Sequence, residues 1–183
     1  MSRLTHRTAP GCTYFVTTKA WQSHAIFQVP EIAEITIECM LGYREKGAYL
    51  LHEFVIMPDH LHLLLTPSME TSLEKAIQLI KGGSSHEIHL RRGQKMQIWQ
   101  QGFHEQTVRD ASDYRNKAQY IHLNPVHRHL VERPQDWPHS SASARFTLDA
   151  APDQFKGLAS GAKAPLISAT EMSELKLRPP KAS

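Results

Sequence analysis

Residues Met57-Pro58-Asp59-His60-Leu61-His62-Leu63-Leu64 place two imidazoles two positions apart inside an apolar run. Alternate residues of a β-strand share a face, so His60 and His62 are predicted side by side on the less buried face, while the alternating leucines point into a core. Two such rings, held by a packed strand, suit a divalent metal ion. The alternative interpretation is a pair of surface histidines that happen to alternate with leucines.

A hairpin is predicted around this stretch. Residues 48–57 and 60–65 are apolar, and Pro58-Asp59 supplies the turn between them. β-Branched and aromatic residues at 13–18 predict an earlier strand. Between these strands, residues 32–43 carry apolar side chains at helical spacing and predict a first helix.

Two further helices and one strand are predicted after the hairpin. Thr71-Ser72 opens a second helix, which Gly82-Gly83 is expected to weaken or bend. A strand lies within residues 99–108, and Asp110 or Ser112 caps a third helix that runs toward Asn124-Pro125. The order βαββαβα predicts an α+β fold of the ferredoxin-like, split βαβ type. Its antiparallel sheet would carry two main helices on one face and leave the other face free for a ligand.

Composition narrows the class of protein. A chain of 183 residues, 40% hydrophobic and 21% charged, predicts one globular domain. Its two cysteines, Cys12 and Cys39, form neither a disulfide framework nor a cysteine zinc site, which fits a reducing cytoplasm. No apolar leader and no run of membrane-spanning length is present, so the protein is expected to be soluble and cytoplasmic.

Positive charge is concentrated in one part of the chain. The formal net charge is +3, and residues 81–133 contain nine basic and five acidic residues, a local excess of four positive charges. This bias favours a polyanionic partner. After Trp137-Pro138 the sequence turns to Ala, Ser, Pro and isolated charges, so we expect one domain at 1–138 and an irregular or partly ordered tail at 139–183.

The third helix adds two candidate side chains. Tyr120 and Asn124 lie one turn apart, beside the apolar stripe, and present a phenol and a carboxamide toward the neighbouring sheet. Together with the two histidines they could form an active site. Singly, Tyr120 is equally explained as a half-buried packing residue and Asn124 as a cap before Pro125.

Four motifs together resemble one family. They are Met57 to Leu65, Trp99-Gln100-Gln101-Gly102-Phe103-His104, Tyr120-Ile121-His122-Leu123-Asn124-Pro125-Val126 and Trp137-Pro138-His139-Ser140-Ser141. In order and spacing they are similar to the motifs of the REP-associated tyrosine transposases, which are HUH single-strand DNA nucleases. The resemblance covers about residues 11–142. It implies an HUH catalytic domain with the tyrosine on the C-terminal helix.

The resemblance also implies residue roles. His60, His62 and Asn124 would bind one Mg²⁺ or Mn²⁺, although Zn²⁺ could also bind such a site, and Tyr120 would be the nucleophile that forms a 5′-phosphotyrosine. His122 is a further candidate for proton transfer. The partner would be single-stranded or hairpin-containing DNA. Candidate DNA-binding residues are Lys81, Arg91, Arg92, Lys95 and Arg109, and Trp99 is expected to pack in the core rather than stack on a base.

The chain departs from the family pattern at two positions. The family often has Asn where Asp59 stands and Gly where His129 stands. A different local turn is expected at His129, and neither change is expected to touch a catalytic atom. Three rival functions remain open: a domesticated protein that binds hairpin repeats without cutting them, a replication initiator or relaxase, and a zinc-dependent hydrolase. Monomer and homodimer also both remain open.

Overall fold

The computed structural model describes residues 11–156. Its main elements are the strands β1 (Tyr14–Lys19), β2 (Tyr49–Met57), β3 (His60–Pro67) and β4 (His104–Thr107) and the helices α1 (Pro30–Glu45), α2 (Leu73–Arg92) and α3 (Ala111–His127). The strands form one antiparallel sheet in the order β2-β3-β1-β4. The predicted order βαββαβα and the α+β, ferredoxin-like class are therefore confirmed.

The two faces of the sheet are buried by different helices. Leu61, Leu63 and Leu65 of β3 join the core cluster that α1 and α2 cover. Leu64, together with Phe15 and Val55, joins a second cluster that includes side chains of α3. The prediction of a free face was wrong, because α3 packs its own apolar stripe onto that face.

Local signals in the sequence explain where the helices begin. Pro30 occupies the first turn of α1, where its missing N–H costs no hydrogen bond. The side chain of Ser72 accepts a hydrogen bond from the backbone N–H of Lys75 at the start of α2. Asp110 caps α3 by accepting from two backbone N–H groups.

Helix α2 is continuous from Leu73 to Arg92 and passes through Gly82-Gly83 without a break. A close approach explains the second glycine. A Cβ atom at Gly83 would lie 2.7 Å from Cε2 and 2.8 Å from the hydroxyl oxygen of Tyr43 on α1, whereas a Cβ at Gly82 would meet nothing within 4 Å. Gly83 therefore lets α1 and α2 pack closely.

These two neighbouring glycines give a matched test of the helix packing. Gly82→Ala should stabilise the protein by about 0.5–1 kcal/mol, because alanine favours a helix interior. Gly83→Ala gains the same helix propensity but displaces the Tyr43 ring, and overpacking typically costs about 1–3 kcal/mol. We expect Gly83→Ala to be less stable than Gly82→Ala by that amount in urea unfolding. Equal stability of the two variants would contradict the packing.

The chain beyond α3 lies along β2. The backbone N–H of Ile56 donates to His139 O at 2.8 Å, and that of Ser141 donates to Phe54 O at 2.9 Å. Further on, Asp149 accepts from the Leu51 backbone and pairs with Arg44. Residues 139–156 are thus irregular but packed. The domain boundary at residue 138 stays a prediction, and residues 157–183 of the predicted tail lie outside the described residues.

Candidate active site

The histidine pair lies at the start of β3, beneath α3. His60 and His62 point to the same face, and their Nε2 atoms are 3.1 Å apart. Both residues are buried, with 7% and 3% of their surface exposed. The shared face is confirmed, but it is not a face open to solvent. The alternative of two surface histidines is therefore excluded.

Each ring is oriented through its other nitrogen. His60 Nδ1 lies 2.6 Å from Asp59 Oδ1, and His62 Nδ1 lies 2.7 Å from Thr17 Oγ1 on β1. The hydrogen bond with His60 holds the pKa of the Asp59 carboxyl below its usual value. Burial places the pKa of His62 well below that of a free imidazole, so this ring is neutral at physiological pH.

The contacts of Asp59 differ from those expected from the sequence. The substitution relative to the family pattern was expected to leave the catalytic atoms untouched, yet its carboxylate contacts a proposed metal ligand directly. Metal-binding histidines commonly donate their second N–H to such a carboxylate, which fixes the tautomer and raises the basicity of the ligating nitrogen. A carboxylate does this more strongly than an amide oxygen.

The nitrogen atoms of the pair fit a metal ion. Because Asp59 accepts the Nδ1–H of His60, the Nε2 of that ring presents a lone pair, and Thr17 can accept from His62 in the same way. At metal–nitrogen distances of about 2.1 Å, two ligands at a right angle are roughly 3.0 Å apart, close to the observed separation. Within residues 11–156, no group of three or more His, Cys, Asp or Glu residues could hold a metal. A third protein ligand at the pair would therefore be of another residue type.

Tyr120 lies beside the pair in the same chain. Its ring centroid is 5.3 Å from that of His62 and 5.9 Å from that of Phe15, in both cases edge to face. The residue is 8% exposed and belongs to the second core cluster. Burial raises the pKa of Tyr120, whereas a side-chain hydrogen bond with Asn124 and the charge of Arg128 lower it.

Asn124 and Arg128 extend this stripe of α3. Asn124 is buried one helical turn beyond Tyr120, and Arg128 follows one turn later as the C-terminal cap of the helix. The Arg128 charge lowers the pKa of Asp59, His62 and Tyr120, so it acts on groups of the hairpin and of the helix. Sequence reasoning missed Arg128, although its spacing of eight residues from Tyr120 places it on the same helix face.

The turn after α3 keeps a conformation that favours glycine. His129, which stands where the family often has Gly, has a φ of +55°. Only a few per cent of residues other than glycine occupy this left-handed region. The backbone N–H of His129 donates to Val126 O at 2.9 Å and closes the turn. His129 thus holds a backbone conformation that favours glycine, and the strain lies next to Arg128.

Several other candidates lie away from the pair or have structural partners. His122 hydrogen-bonds to Glu53 Oε2 of β2 at 2.7 Å. This contact is with the sheet and not with Tyr120. Trp99 packs against Phe27, and its indole N–H donates to Ser84 at 3.0 Å, which confirms the predicted core position.

Most of the predicted DNA-binding cations lie on or near α2, on the opposite side of the sheet from the histidines. Arg91 pairs with Glu87 and Glu38, and Arg92 pairs with Glu31. Lys95 is exposed after the helix. Arg109, with 80% of its side chain exposed, lies before α3 and is 3.5 Å from Asp113.

Lys81 has a structural role. Its Nζ donates to the backbone carbonyls of Gln100 at 2.7 Å and Gly102 at 2.6 Å, and burial lowers its pKa to about 8. The structure therefore does not gather the five predicted cations at the histidine pair. DNA contact by these residues stays a prediction.

No helix within residues 11–156 combines the length and the apolar content that a membrane crossing requires.

The sequence and the fold match one family of proteins. Residues 9–124, more than half of the chain, match the family described as Transposase IS200 like, and the chain belongs to this family. A REP-associated tyrosine transposase of Escherichia coli (strain K12) is 32% identical over 103 residues, which cover 56% of this chain and 59% of that protein. A similarly described protein of Haemophilus influenzae is 30% identical over 112 residues, covering 56% and 64%.

The matched region is less than two thirds of either relative's length. Among solved structures, a REP-associated tyrosine transposase bound to a REP hairpin has a TM-score of 0.65 and 24% sequence identity, covering 92% of this chain and 100% of that chain. This likeness shows the shared fold. The family resemblance that the four motifs predict is confirmed.

Proposed function

We propose that this protein is a metal-dependent transposase that cleaves and rejoins single-stranded or hairpin-flanking DNA through a 5′-phosphotyrosine. One observation carries the proposal: two imidazole nitrogens converge at 3.1 Å, and the ring centroid of Tyr120 lies 5.3 Å from that of His62 in the same chain. A nucleophile beside a cation site is the arrangement that phosphoryl transfer requires.

His60, His62 and Asn124 would hold one Mg²⁺ or Mn²⁺. When bound, the ion supplies Lewis-acid stabilisation of the charge on the scissile phosphate. All three side chains are uncharged ligands, which suits a substrate that is itself an anion. Asp59 and Thr17 keep the two rings oriented through Nδ1, so the Nε2 atoms stay directed to the same point.

Tyr120 would attack the phosphorus atom of the scissile phosphodiester. The Tyr120 oxygen forms a bond to phosphorus, the bond from phosphorus to the 3′-oxygen breaks, and the proton of the phenol ends on that 3′-oxygen. The products are a 5′-phosphotyrosine and a free 3′-hydroxyl. A 3′-hydroxyl reverses the exchange when it attacks the phosphotyrosine, so rejoining needs no nucleotide cofactor.

Ionisation of the phenol is the difficult step, because an unperturbed tyrosine has a pKa of about 10 and burial raises that of Tyr120 further. Asn124 and Arg128 oppose this effect, since a hydrogen bond and a nearby positive charge both stabilise the phenolate. Arg128 would therefore assist the ionisation of Tyr120. From the sequence, His122 was the candidate for this role. The position of Tyr120 supports action within one chain.

The DNA partner is inferred from the family. A solved relative was captured with a REP hairpin, and we propose that this chain likewise binds hairpin-containing repeats. A non-cleaving hairpin-binding protein is the second candidate, but the retained His60, His62, Tyr120 and Asn124 set favours cleavage. A zinc-dependent hydrolase would leave the buried tyrosine beside the histidines without a covalent role.

A single assay tests the function. A hairpin oligonucleotide with single-stranded flanks, labelled at its 3′ end, is incubated with the protein and Mn²⁺ and analysed on a denaturing gel. Cleavage should produce a labelled covalent protein–DNA adduct together with an unlabelled fragment that ends in a 3′-hydroxyl. Hairpin binding without any adduct would instead identify the non-cleaving binding protein.

Arg128→Met should slow adduct formation by roughly ten- to a hundredfold and shift its pH dependence to higher pH. The variant loses a cation that lowers the pKa of Tyr120, so the phenol loses its proton only at higher pH. Arg115→Met removes an exposed arginine about 20 Å away along the same helix and serves as the control. An unshifted pH profile for Arg128→Met would contradict this role.

A further inference from the structure

A cluster of polar side chains joins three segments of the protein beside the site and has no role in the chemistry described so far. Glu53 Oε2 of β2 lies 2.7 Å from His122 Nε2 of α3 and accepts a hydrogen bond from the Ser141 hydroxyl at 2.6 Å. We propose that this carboxylate cluster, Glu53, His122 and Ser141, positions Tyr120 for its attack on phosphorus by fixing the rotation of α3 on the sheet. The inference rests on the proposed function, because it takes Tyr120 as the nucleophile.

The geometry of the carboxylate cluster suits positioning and does not form a second catalytic site. In a Ser-His-carboxylate triad, the carboxylate and the hydroxyl lie at different nitrogens of the imidazole. Here Glu53 Oε2 is 2.7 Å and Ser141 Oγ is 3.4 Å from the same nitrogen, His122 Nε2. The Ser141 oxygen also accepts from the backbone N–H of Phe54 at 3.0 Å. The ring therefore does not relay a proton between the two groups, and the hydroxyl is held by the strand.

A β-bulge directs Glu53 toward α3. The register of β2 against β3 shifts between Leu51 and Glu53, where His52 is the extra residue. Without the shift, residues 51 and 53 would project from the same face of the sheet. Instead, Leu51 lies in the core cluster that α1 and α2 cover, whereas Glu53 shares the α3 face with Val55. Bulges commonly redirect a side chain next to an active site, and this one delivers the carboxylate to the helix that carries Tyr120.

The carboxylate cluster and the nucleophile hold α3 from opposite sides. Ile121 is fully buried against the sheet, and Tyr120 and His122 project about 100° to either side of it. Tyr120 contacts His62 of the central strand β3, whereas His122 bonds to Glu53 of the outer strand β2. The bond to Glu53 therefore opposes rotation of α3 about its own axis.

Small rotations of α3 matter for the reaction. At a side-chain radius of about 6 Å, a rotation of about 10° moves the tip of a side chain by about 1 Å. A misplacement of about 1 Å can lower a rate by about a hundredfold. The rotation would displace Asn124 together with Tyr120, since both lie on one stripe of the helix. Because Ser141 holds the same carboxylate oxygen, the strand, the helix and the segment after the helix are tied at a single atom.

His122→Ala tests the carboxylate cluster through the rate of the reaction. At saturating hairpin and Mn²⁺, the single-turnover rate of adduct formation should fall by about tenfold to a hundredfold, while hairpin affinity without metal stays at the wild-type level. His122→Gln retains an N–H donor for Glu53 and should restore most of the rate. Arg145→Met is the control, because Arg145 ties the segment that contains Ser141 to Glu34 of α1 instead of to α3. This variant should keep the wild-type rate.

The position of Tyr120 can be measured without cleavage. Protein labelled with 3-fluorotyrosine gives a ¹⁹F signal for each of its five tyrosines, and the signal that Tyr120→Phe lacks belongs to Tyr120. His122→Ala should shift or broaden this signal, because the ring moves relative to His62. The signal of Tyr114, earlier in the same helix, should keep its position, and Arg145→Met should change neither signal.

The outcomes separate this inference from the proposed function. An unmoved Tyr120 signal in His122→Ala, or an equal loss of rate in His122→Ala and Arg145→Met, would overturn the positioning role even if the wild-type protein forms its adduct. A displaced Tyr120 signal without any wild-type adduct would support the positioning role and refute cleavage. If His122→Ala does not fold, as judged by circular dichroism, Ser141→Ala replaces it. That variant removes the other hydrogen bond to Glu53 and should give the same loss of rate and the same change of signal.

Discussion

Tyr120→Phe should abolish the covalent protein–DNA adduct while hairpin binding persists. Removal of the hydroxyl leaves no oxygen to attack phosphorus, and loss of a nucleophile typically costs on the order of 10⁴-fold or more. The ring itself remains in contact with His62 and Phe15, so the second core cluster keeps its packing. Folding should lose only about 1 kcal/mol, which is typical for one hydrogen bond.

The same helix supplies a matched control for this variant. Tyr114 is also buried on α3, where its ring stacks on Phe155 at 5.4 Å, more than one helical turn before Tyr120. Tyr114→Phe makes the identical chemical change and should retain adduct formation. Undiminished adduct from Tyr120→Phe, measured by gel shift under denaturing conditions and by mass spectrometry, would refute the nucleophile assignment.

His60→Ala should remove most of the metal-dependent cleavage. Loss of one of three proposed protein ligands should weaken metal binding by about a hundredfold or more, since loss of a supporting partner alone typically costs about 10–100-fold. The remaining imidazole of His62 would keep its contact with Thr17 but would lack the neighbouring nitrogen at 3.1 Å. Binding of Mn²⁺ is measured by calorimetry, and cleavage is titrated with metal.

Two further variants complete this experiment. His86→Ala removes an exposed histidine from α2 and should leave metal affinity and cleavage unchanged. Asp59→Asn restores the residue that the family often has, so it should keep cleavage and weaken metal binding less than His60→Ala. Metal affinity and activity that stay at the wild-type level in His60→Ala would eliminate the proposed centre.

The hairpin and its histidines could be predicted because their signals are local. Alternation of histidine and leucine sets which side chains share a face, and Pro58-Asp59 marks the turn. Helices α2 and α3 likewise begin next to Ser72 and Asp110, whose side chains cap the first turn. Such features depend on a few neighbouring residues and need no knowledge of how distant segments pack.

The burial of the site could not be predicted in this way. It depends on α3 packing across the sheet, a long-range contact that the periodicity of the helix does not specify. The cations of α2 illustrate the same limit, because charge counting identifies Arg91 and Arg92 but not their partners Glu38 and Glu31 on the neighbouring helix. Lys81 was predicted to bind DNA for the same reason, although its ammonium group donates to the backbone carbonyls of Gln100 and Gly102.

Arg128 shows a different limit. The third helix was predicted to run toward Asn124-Pro125, because proline usually interrupts a helix. In the structure the helix includes Pro125 and continues to His127, although the proline lacks the N–H of one helical hydrogen bond. This extra half-turn carries Arg128 onto the stripe of Tyr120 and Asn124.

The pairing of residues 139–141 with β2 bears on how this protein can be shortened. A chain that stopped at residue 138 would leave the amide of Ile56 and the carbonyl of Phe54 without their partners along an outer strand. Unpaired outer strands recruit strands from other molecules and promote aggregation. The smallest well-behaved fragment should therefore extend to about residue 156, where Phe155 still contacts the core beneath α3.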